Sequence, residues 1–370
     1  MFRSRQKPPP APAVPEEKPR PSLEPSTVRI HIHYPADEGE IRLRTNADWD
    51  LDIVSISVDE TNSHWEFEVT TAEPFLYYKP LLLPKDAEVR WSDGPDRIAT
   101  AGAERVWDAF PAFDPAPAEV TDPHEVEVDG HGYTLRAFLP RGYHENELHR
   151  YPVVYMMDGH NLFYRHEAAT GQDWSVQDTV QKLHEMNTIE PVIVVGVYPN
   201  DRMVDYSDEG IDAFSSFMSE KLKPHIDEKF RTLPDPAHNA VVGSSLGGVA
   251  AFELAWRFPE QFGKVASLSA SFGYADRLAT QVLEDERREI QIYLDSGWPR
   301  DNFEVTRDMR ARLVRAGYQE GVELMYFAFP DGRHNEQAWG DRVHLPFQFF
   351  FGLDTQRRTF AGEYIAEQRR

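Results

Sequence analysis

Two textures of hydrophobic patterning divide the chain. From about Val28 to Asp114, apolar and polar residues alternate in short runs. These are Val28-Arg29-Ile30-His31-Ile32-His33-Tyr34, Ile41-Arg42-Leu43-Arg44, Ile53-Val54-Ser55-Ile56-Ser57-Val58, Trp65-Glu66-Phe67-Glu68-Val69 and Phe75-Leu76-Tyr77-Tyr78-Lys79. A period of two turns one face of a strand toward a core and the other toward water. Regular spacing with no helical period between the runs predicts a small all-β sandwich.

Beyond the connector Phe110-Pro111-Ala112-Phe113-Asp114-Pro115-Ala116-Pro117 the texture changes. A hairpin-like pair, Glu125–Val128 and Tyr133–Leu139, leads into Tyr151–Met157, which is almost continuously apolar. Similar runs recur at Val192–Val197, Asn239–Val242, Lys264–Ser267, Ile290–Leu294 and Leu324–Ala328. Helices are predicted between them over Gln172–Met186, Ile211–Phe230 and Asp308–Ala316. Buried strands alternating with amphipathic helices predict an α/β domain with a mostly parallel sheet covered on both faces. In such sheets function gathers at the carboxyl ends of the strands. The expected organisation is therefore a Pro-rich disordered tail over residues 1–27, a β-sandwich over 28–114 and an α/β domain over 115–370.

Composition narrows the function classes. A chain of 370 residues is long enough for two cores. No apolar run approaches the roughly 20 residues that a membrane-spanning helix needs, so no membrane partner is expected. The start, Met1-Phe2-Arg3-Ser4-Arg5-Gln6-Lys7 followed by Pro8-Pro9-Pro10, lacks an apolar signal core, and the chain reads as soluble and cytoplasmic. The absence of cysteine excludes disulfides, thiolate metal sites and cysteine nucleophiles. A formal net charge of −23 argues against nucleic acid as a partner, because phosphate attraction dominates that binding. Nothing in the composition sets an oligomeric state.

The chemistry concentrates in Val241-Val242-Gly243-Ser244-Ser245-Leu246-Gly247-Gly248, a G-x-S-x-G pattern between a β-branched run and a small-residue run. It predicts a strand, a sharp turn and a helix, with Ser245 exposed at the helix start and glycines where side chains would collide. Backbone N–H groups at that helix start can stabilise negative charge, and the donor expected there is Leu246. A second backbone donor is expected from the loop Met157-Asp158-Gly159-His160-Asn161-Leu162-Phe163, at either His160 or Asn161. Near Tyr293-Leu294-Asp295-Ser296-Gly297-Trp298-Pro299-Arg300-Asp301, two carboxylates are available to orient a histidine. Asp301 is favoured over Asp295, because the latter sits where a strand closes. His334, in Pro330-Asp331-Gly332-Arg333-His334-Asn335-Glu336, is the expected base. The order Ser245, Asp301, His334 is the one α/β-hydrolases use. Trp298, beside the acid loop, and Arg202 are candidates to shape the substrate pocket; Arg202 reads equally as an ion-pair partner of Asp205, and Trp298 equally as packing against the domain rim.

Residues from about 120 to 352 resemble the esterase D and enterochelin esterase-like family of serine α/β-hydrolases. The resemblance rests on Met157–Phe163, Asp173-Trp174, Arg202 with Asp205-Tyr206, Gly243–Gly248, and His334-Asn335-Glu336 through Trp339, all in the family's order. It implies a serine esterase acting on siderophore lactones, aryl esters or glycan-linked acyl esters, with no metal or organic cofactor. The N-terminal segment is similar to starch-binding modules of the immunoglobulin-like type through Trp49-Asp50, Tyr78-Lys79 and Trp91-Ser92-Asp93-Gly94-Pro95-Asp96-Arg97. That likeness implies Trp91 as a sugar-stacking residue and a glucan as a possible partner. Two other readings compete: a carbohydrate-binding protein on a degenerate hydrolase scaffold, and an acyltransferase.

Overall fold

A computed structural model describes residues 24–353, apart from residues 60, 62, 86, 103, 104, 129, 130, 208 and 275. Most of the span read as a Pro-rich tail lies outside the described residues. Its last two residues, Ser26 and Thr27, already belong to the first strand and pair with Thr71 and Thr70.

Among the described residues, the N-terminal region contains nine strands: β1 Ser26–His33, β2 Glu40–Thr45, β3 Asp48–Val54, β4 Ser57–Asp59, β5 His64–Thr71, β6 Phe75–Leu83, β7 Arg90–Trp91, β8 Arg97–Thr100 and β9 Val106–Ala109. One sheet has the order β4-β5-β1-β9; the other runs β3-β2-β6-β7, with β8 also on β6. The inward residues of both sheets, among them Ile30, Ile32, Ile41, Leu43, Phe67 and Leu82, form a single buried cluster. The alternating run at Ile53–Val58 is not one strand. It breaks at Ser55-Ile56, and its halves join different sheets, β3 pairing β2 and β4 pairing β5. Period-two patterning survives such a crossing, so alternation alone cannot reveal it.

Among the described residues, the remainder builds a nine-stranded sheet from β10 Glu119–Val120, β11 His124–Val128, β12 His131–Leu139, β13 Val153–Met157, β14 Ile193–Val197, β15 Asn239–Ser244, β16 Lys264–Leu268, β17 Gln291–Trp298 and β18 Leu324–Pro330. The order is β10-β12-β14-β13-β15-β16-β17-β18, with β11 also on β12. From β14 to β18 every neighbour is parallel, and β12 is antiparallel to β14. Alternate residues of the central strands serve opposite faces. Val153, Tyr155 and Met157 enter one core cluster, while Val154 and Met156 enter the other. Burial on both faces explains the unbroken apolar runs.

The helices are α1 Val176–Glu185, α2 Arg202–Asp205, α3 Ile211–Phe217, α4 Lys223–Lys229, α5 Ser245–Arg257, α6 Asp276–Glu284, α7 Phe303–Arg315, α8 Glu336–Arg342 and α9 His344–Phe351. A π-turn at Met218–Leu222 joins α3 to α4. Helix α1 starts later than its sequence pattern suggests, because Ser175 adopts a left-handed backbone and the Trp174 amide bonds to the Asn161 carbonyl. None of these helices is long and apolar enough to cross a membrane.

Strand order reverses between β13 and β15, since β14 lies on the far side of β13 and β16 on the far side of β15. Such a switch leaves a crevice at the carboxyl ends of the two strands. The Gly159–Asn161 turn and Ser245 emerge there.

Polar side chains, one of them the buried Asn146, tie the N-terminal sheets to the larger region. Glu145 accepts hydrogen bonds from the backbone of Phe113 and Asp114 and from Tyr34, and Asn146 donates to the His33 and Pro111 carbonyls.

Candidate active site

Ser245 begins α5 with φ of +54°, a left-handed value that a non-glycine residue rarely holds. The surrounding glycines make it possible. A Cβ at Gly243 would lie 2.1 Å from the Gly247 carbonyl oxygen, and one at Gly247 would press on Asp158 and Met157. The strained turn lifts the Ser245 hydroxyl off the end of β15.

His334 follows β18 and receives that hydroxyl, with Nε2 2.9 Å from Ser245 Oγ. Its Nδ1 lies 2.7 Å from Asp301 Oδ1. A carboxylate only accepts, so Nδ1 carries the proton and Nε2 is left to accept from the serine. The Asp301 side chain is fully enclosed. Burial by itself would raise its carboxyl. Hydrogen bonds from His334, Ser269 and the backbone of Gly297 and Asn302 outweigh that effect and hold it down at about 2.

Two glycines set the approach of the acid and histidine loops. A Cβ on Gly297 would fall 2.2 Å from the Gly332 carbonyl oxygen, so the ends of β17 and β18 touch backbone to backbone. That contact brings residue 301 within reach of residue 334.

Asp295 stands apart from His334. It lies within β17, which runs on to Trp298, and is fully buried. Arg342 donates to its Oδ1 at 3.1 Å and Tyr293 to its Oδ2 at 2.9 Å. Burial pushes its carboxyl up to about 6, with Arg342 opposing. Arg342 also donates to Ser269 Oγ at 3.0 Å, and Ser269 in turn donates to Asp301, so the two carboxylates belong to one network.

The backbone donors divide as follows. Leu246 is in the first turn of α5, where amides have no intrahelical acceptor. The Asn161 amide donates to the Asp158 carbonyl at 2.8 Å, which corrects its candidacy as a free donor. The 3₁₀ turn over Gly159–Asn161 consumes that amide, leaving His160 as the remaining candidate. Arg202 also corrects an expectation. Its partner is the buried Asp158, reached at 2.8 and 3.0 Å, and not Asp205. Asp205 instead accepts from Tyr133 and from the Asn200 amide. The Arg202–Asp158 pair ties the Gly159–Asn161 turn to α2.

Sequence reasoning missed Ser269, Ser271 and Asn302. Ser271 Oγ is 3.2 Å from Ser245 Oγ, and Asn302 holds both Ser271 Oγ and the Ser269 carbonyl. The sequence signal for the two serines is the Ser-rich stretch directly after β16. Trp298 is half-exposed and meets Phe303 edge-on at 6.4 Å. Trp91 lies in the N-terminal region on β7, 43% exposed, with the Arg44 guanidinium 5.1 Å from its ring centre.

Two cavities flank the cluster. One of about 200 Å³ runs along Leu246, Val249, Tyr206, Met203 and Tyr274. Another of about 670 Å³ opens beside Arg333, Asn335, Glu336 and Phe329. An enclosed carboxylate, an imidazole and a strained serine in one hydrogen-bonded line can move a proton away from the serine oxygen. Backbone amides at the start of α5 can receive negative charge.

A family model described as "Putative esterase" matches residues 128–345. The chain belongs to this esterase family. Among curated relatives, the family member is 22% identical over 170 residues to "Uncharacterized protein YbbA" of Bacillus subtilis, covering 42% of this chain and 63% of that one. It is 29% identical over 207 residues to an endo-1,4-beta-xylanase/feruloyl esterase of Xylanibacter ruminicola, covering 53% of this chain and 27% of that one. The chain thus spans less than two thirds of the length of either relative. Among solved structures, a ferulic acid esterase superposes with a TM-score of 0.53 at 20% identity, covering 64% of this chain and 98% of its own. The enterobactin esterase of Shigella flexneri gives 0.52 at 14% identity and covers 90% of this chain and 94% of its own. At these identities the likeness shows an α/β-hydrolase-like fold.

Proposed function

We propose that this esterase-family chain is a serine carboxylesterase working through an acyl-enzyme. The observation that carries the reading is the hydrogen-bonded line Ser245–His334–Asp301 at 2.9 and 2.7 Å. Ser245 Oγ attacks the ester carbonyl while His334 Nε2 takes its proton. Asp301 fixes the imidazole tautomer and stabilises the imidazolium. The backbone amides of Leu246 and His160 hold the tetrahedral oxyanion. The intermediate collapses as His334 protonates the leaving alcohol, giving an acyl-Ser245. Water, deprotonated by the same imidazole, then releases the carboxylic acid and restores the serine.

For the substrate we favour an aryl ester or a catecholate lactone. The small cavity along Leu246, Tyr206 and Tyr274 and the exposed Trp298 beside the acid loop suit a flat acyl group. The similar structures bear the names of ferulic acid and enterobactin esterases. We read residues 28–114 as a separate β module ahead of a catalytic domain over 115–370.

The test is hydrolysis of p-nitrophenyl acetate and butyrate, then of methyl ferulate and a catecholate trilactone, by wild type, Ser245→Ala and His334→Ala. Turnover by wild type, lost in both variants, is the expected result. Equal rates in all three proteins would overturn the reading.

A further inference from the structure

A second histidine cluster lies far from this chemistry in sequence, on the outward face of the β4-β5-β1-β9 sheet. Ile30 and Ile32 turn inward to the core, so His31 and His33 of β1 share the opposite face. In β5 the same alternation buries Trp65 and Phe67 and sends His64 and Glu66 outward. Register then brings the pairs together. His31 lies opposite Glu66 and His33 opposite His64, while Asp108 of β9 flanks His31 on the other side.

The side chains converge. Ligand-capable atoms of His31, His64 and Glu66 all lie within 4.8 Å of one another. The His31 and His64 rings are 4.4 Å apart, and the His33 ring stacks on His64 at 4.9 Å. Asp108 Oδ1 is 2.8 Å from His33 Nε2 and 3.8 Å from His31 Nδ1. His64 Nε2 is enclosed and has no hydrogen-bond partner among the described residues. An enclosed nitrogen without a partner is costly unless something else satisfies it.

We propose that His31, His64 and Glu66 bind one zinc ion, with water completing its coordination and Asp108 and His33 held alongside to orient the His31 and His64 imidazoles. Imidazole nitrogens with carboxylate oxygens suit zinc and its neighbours in the first transition row, whereas magnesium and calcium take oxygen alone. Tetrahedral zinc with bonds of about 2.0–2.1 Å separates its ligands by about 3.3 Å, so binding draws the three ligand atoms inward from separations of up to 4.8 Å. The ion satisfies His64 Nε2 and clips β1 to β5. It stands independently of the ester-hydrolase reading.

The experiment uses the full chain, stripped with a chelator and titrated with Zn²⁺ against a chromophoric competitor, with thermal unfolding followed in parallel. One equivalent of zinc should bind at micromolar or tighter affinity and raise the melting temperature, since it binds the folded form. His31→Gln and Glu66→Gln should lose that equivalent. Asp108→Asn, at a half-exposed position, should weaken it by about 10- to 100-fold. Circular dichroism checks that the variants are folded. The proposal is overturned if wild type takes up no zinc against the competitor, an outcome that needs no variant. It is equally overturned if folded His31→Gln binds zinc as wild type does.

Discussion

The molecule holds two histidine clusters built on different principles. Around His334, both ring nitrogens have partners and each partner is fixed by others: Ser245 by a strained turn, Asp301 by Ser269 and two backbone amides. Around His64, three rings and two carboxylates crowd one sheet face, and an enclosed nitrogen lacks a hydrogen-bond partner among the described residues. The first cluster sits on loops beyond strand ends, where backbone can turn and amides lie open. The second sits along the strands, where side chains project at fixed spacing. A complete hydrogen-bond chain suits directed proton movement, whereas surplus lone pairs suit a cation. Direction comes from loops and ligand density from strands.

The comparison can be broken most sharply at Ser245. Ser245→Ala should lower kcat for p-nitrophenyl butyrate by about 10⁶-fold while zinc uptake stays at one equivalent. Zinc binding that fell with it would couple the two clusters. Next in size is Asp301→Asn, expected to cost about 10⁴-fold in kcat because the imidazole loses its tautomer and its counter-charge.

Asp295→Asn serves as the partner experiment, since it should keep most of the turnover. Its signature is in stability. The folded carboxyl is raised to about 6 from an ordinary 3.8, so the native state binds more protons than the unfolded chain between those values. Wild-type stability should therefore fall, through this group, as pH rises from about 4 to about 6. Melting curves of Asp295→Asn across that window should lack the contribution.

Gly297→Ala tests how the loops are held. The new Cβ must push against the Gly332 carbonyl, and a displacement near 1 Å at His334 should cost about 10²-fold in kcat. Unchanged kinetics would mean that the backbone contact does not set the geometry. The smallest effect is expected at Trp298→Ala, which should raise KM for aryl esters by about two- to tenfold with little change in kcat, the worth of one aromatic contact.

Much of the larger region was legible in the sequence, because its signals are local. Unbroken apolar runs declare strands buried on both faces, and the glycines around Ser245 declare the turn that exposes it. Strand positions came within a few residues, although β17 and β18 run further than their apolar cores, which is why Asp295 lies inside a strand. Other features required chain segments to meet. The crossing of Ile53–Val58 between sheets leaves the alternation unchanged, so nothing in the pattern marks it. Arg202 finds Asp158 from 44 positions away and ignores the Asp205 on its own helix.

By itself the sequence determined the alternation, the apolar runs, the elbow around Ser245 and the order of serine, acid and histidine, since each depends on neighbours along the chain. Tertiary structure alone decided that Asp301 rather than Asp295 faces His334, that Asn161's amide is spent within its own turn, and that Ser271 and Asn302 stand behind Ser245. It alone also made a cluster from His31-Ile32-His33 and His64-Trp65-Glu66, two commonplace strand triplets until register sets them side by side. The physical reason is common to all of these. Distances across strands and between loops are fixed by hydrogen-bond register and close backbone packing, which no local pattern encodes.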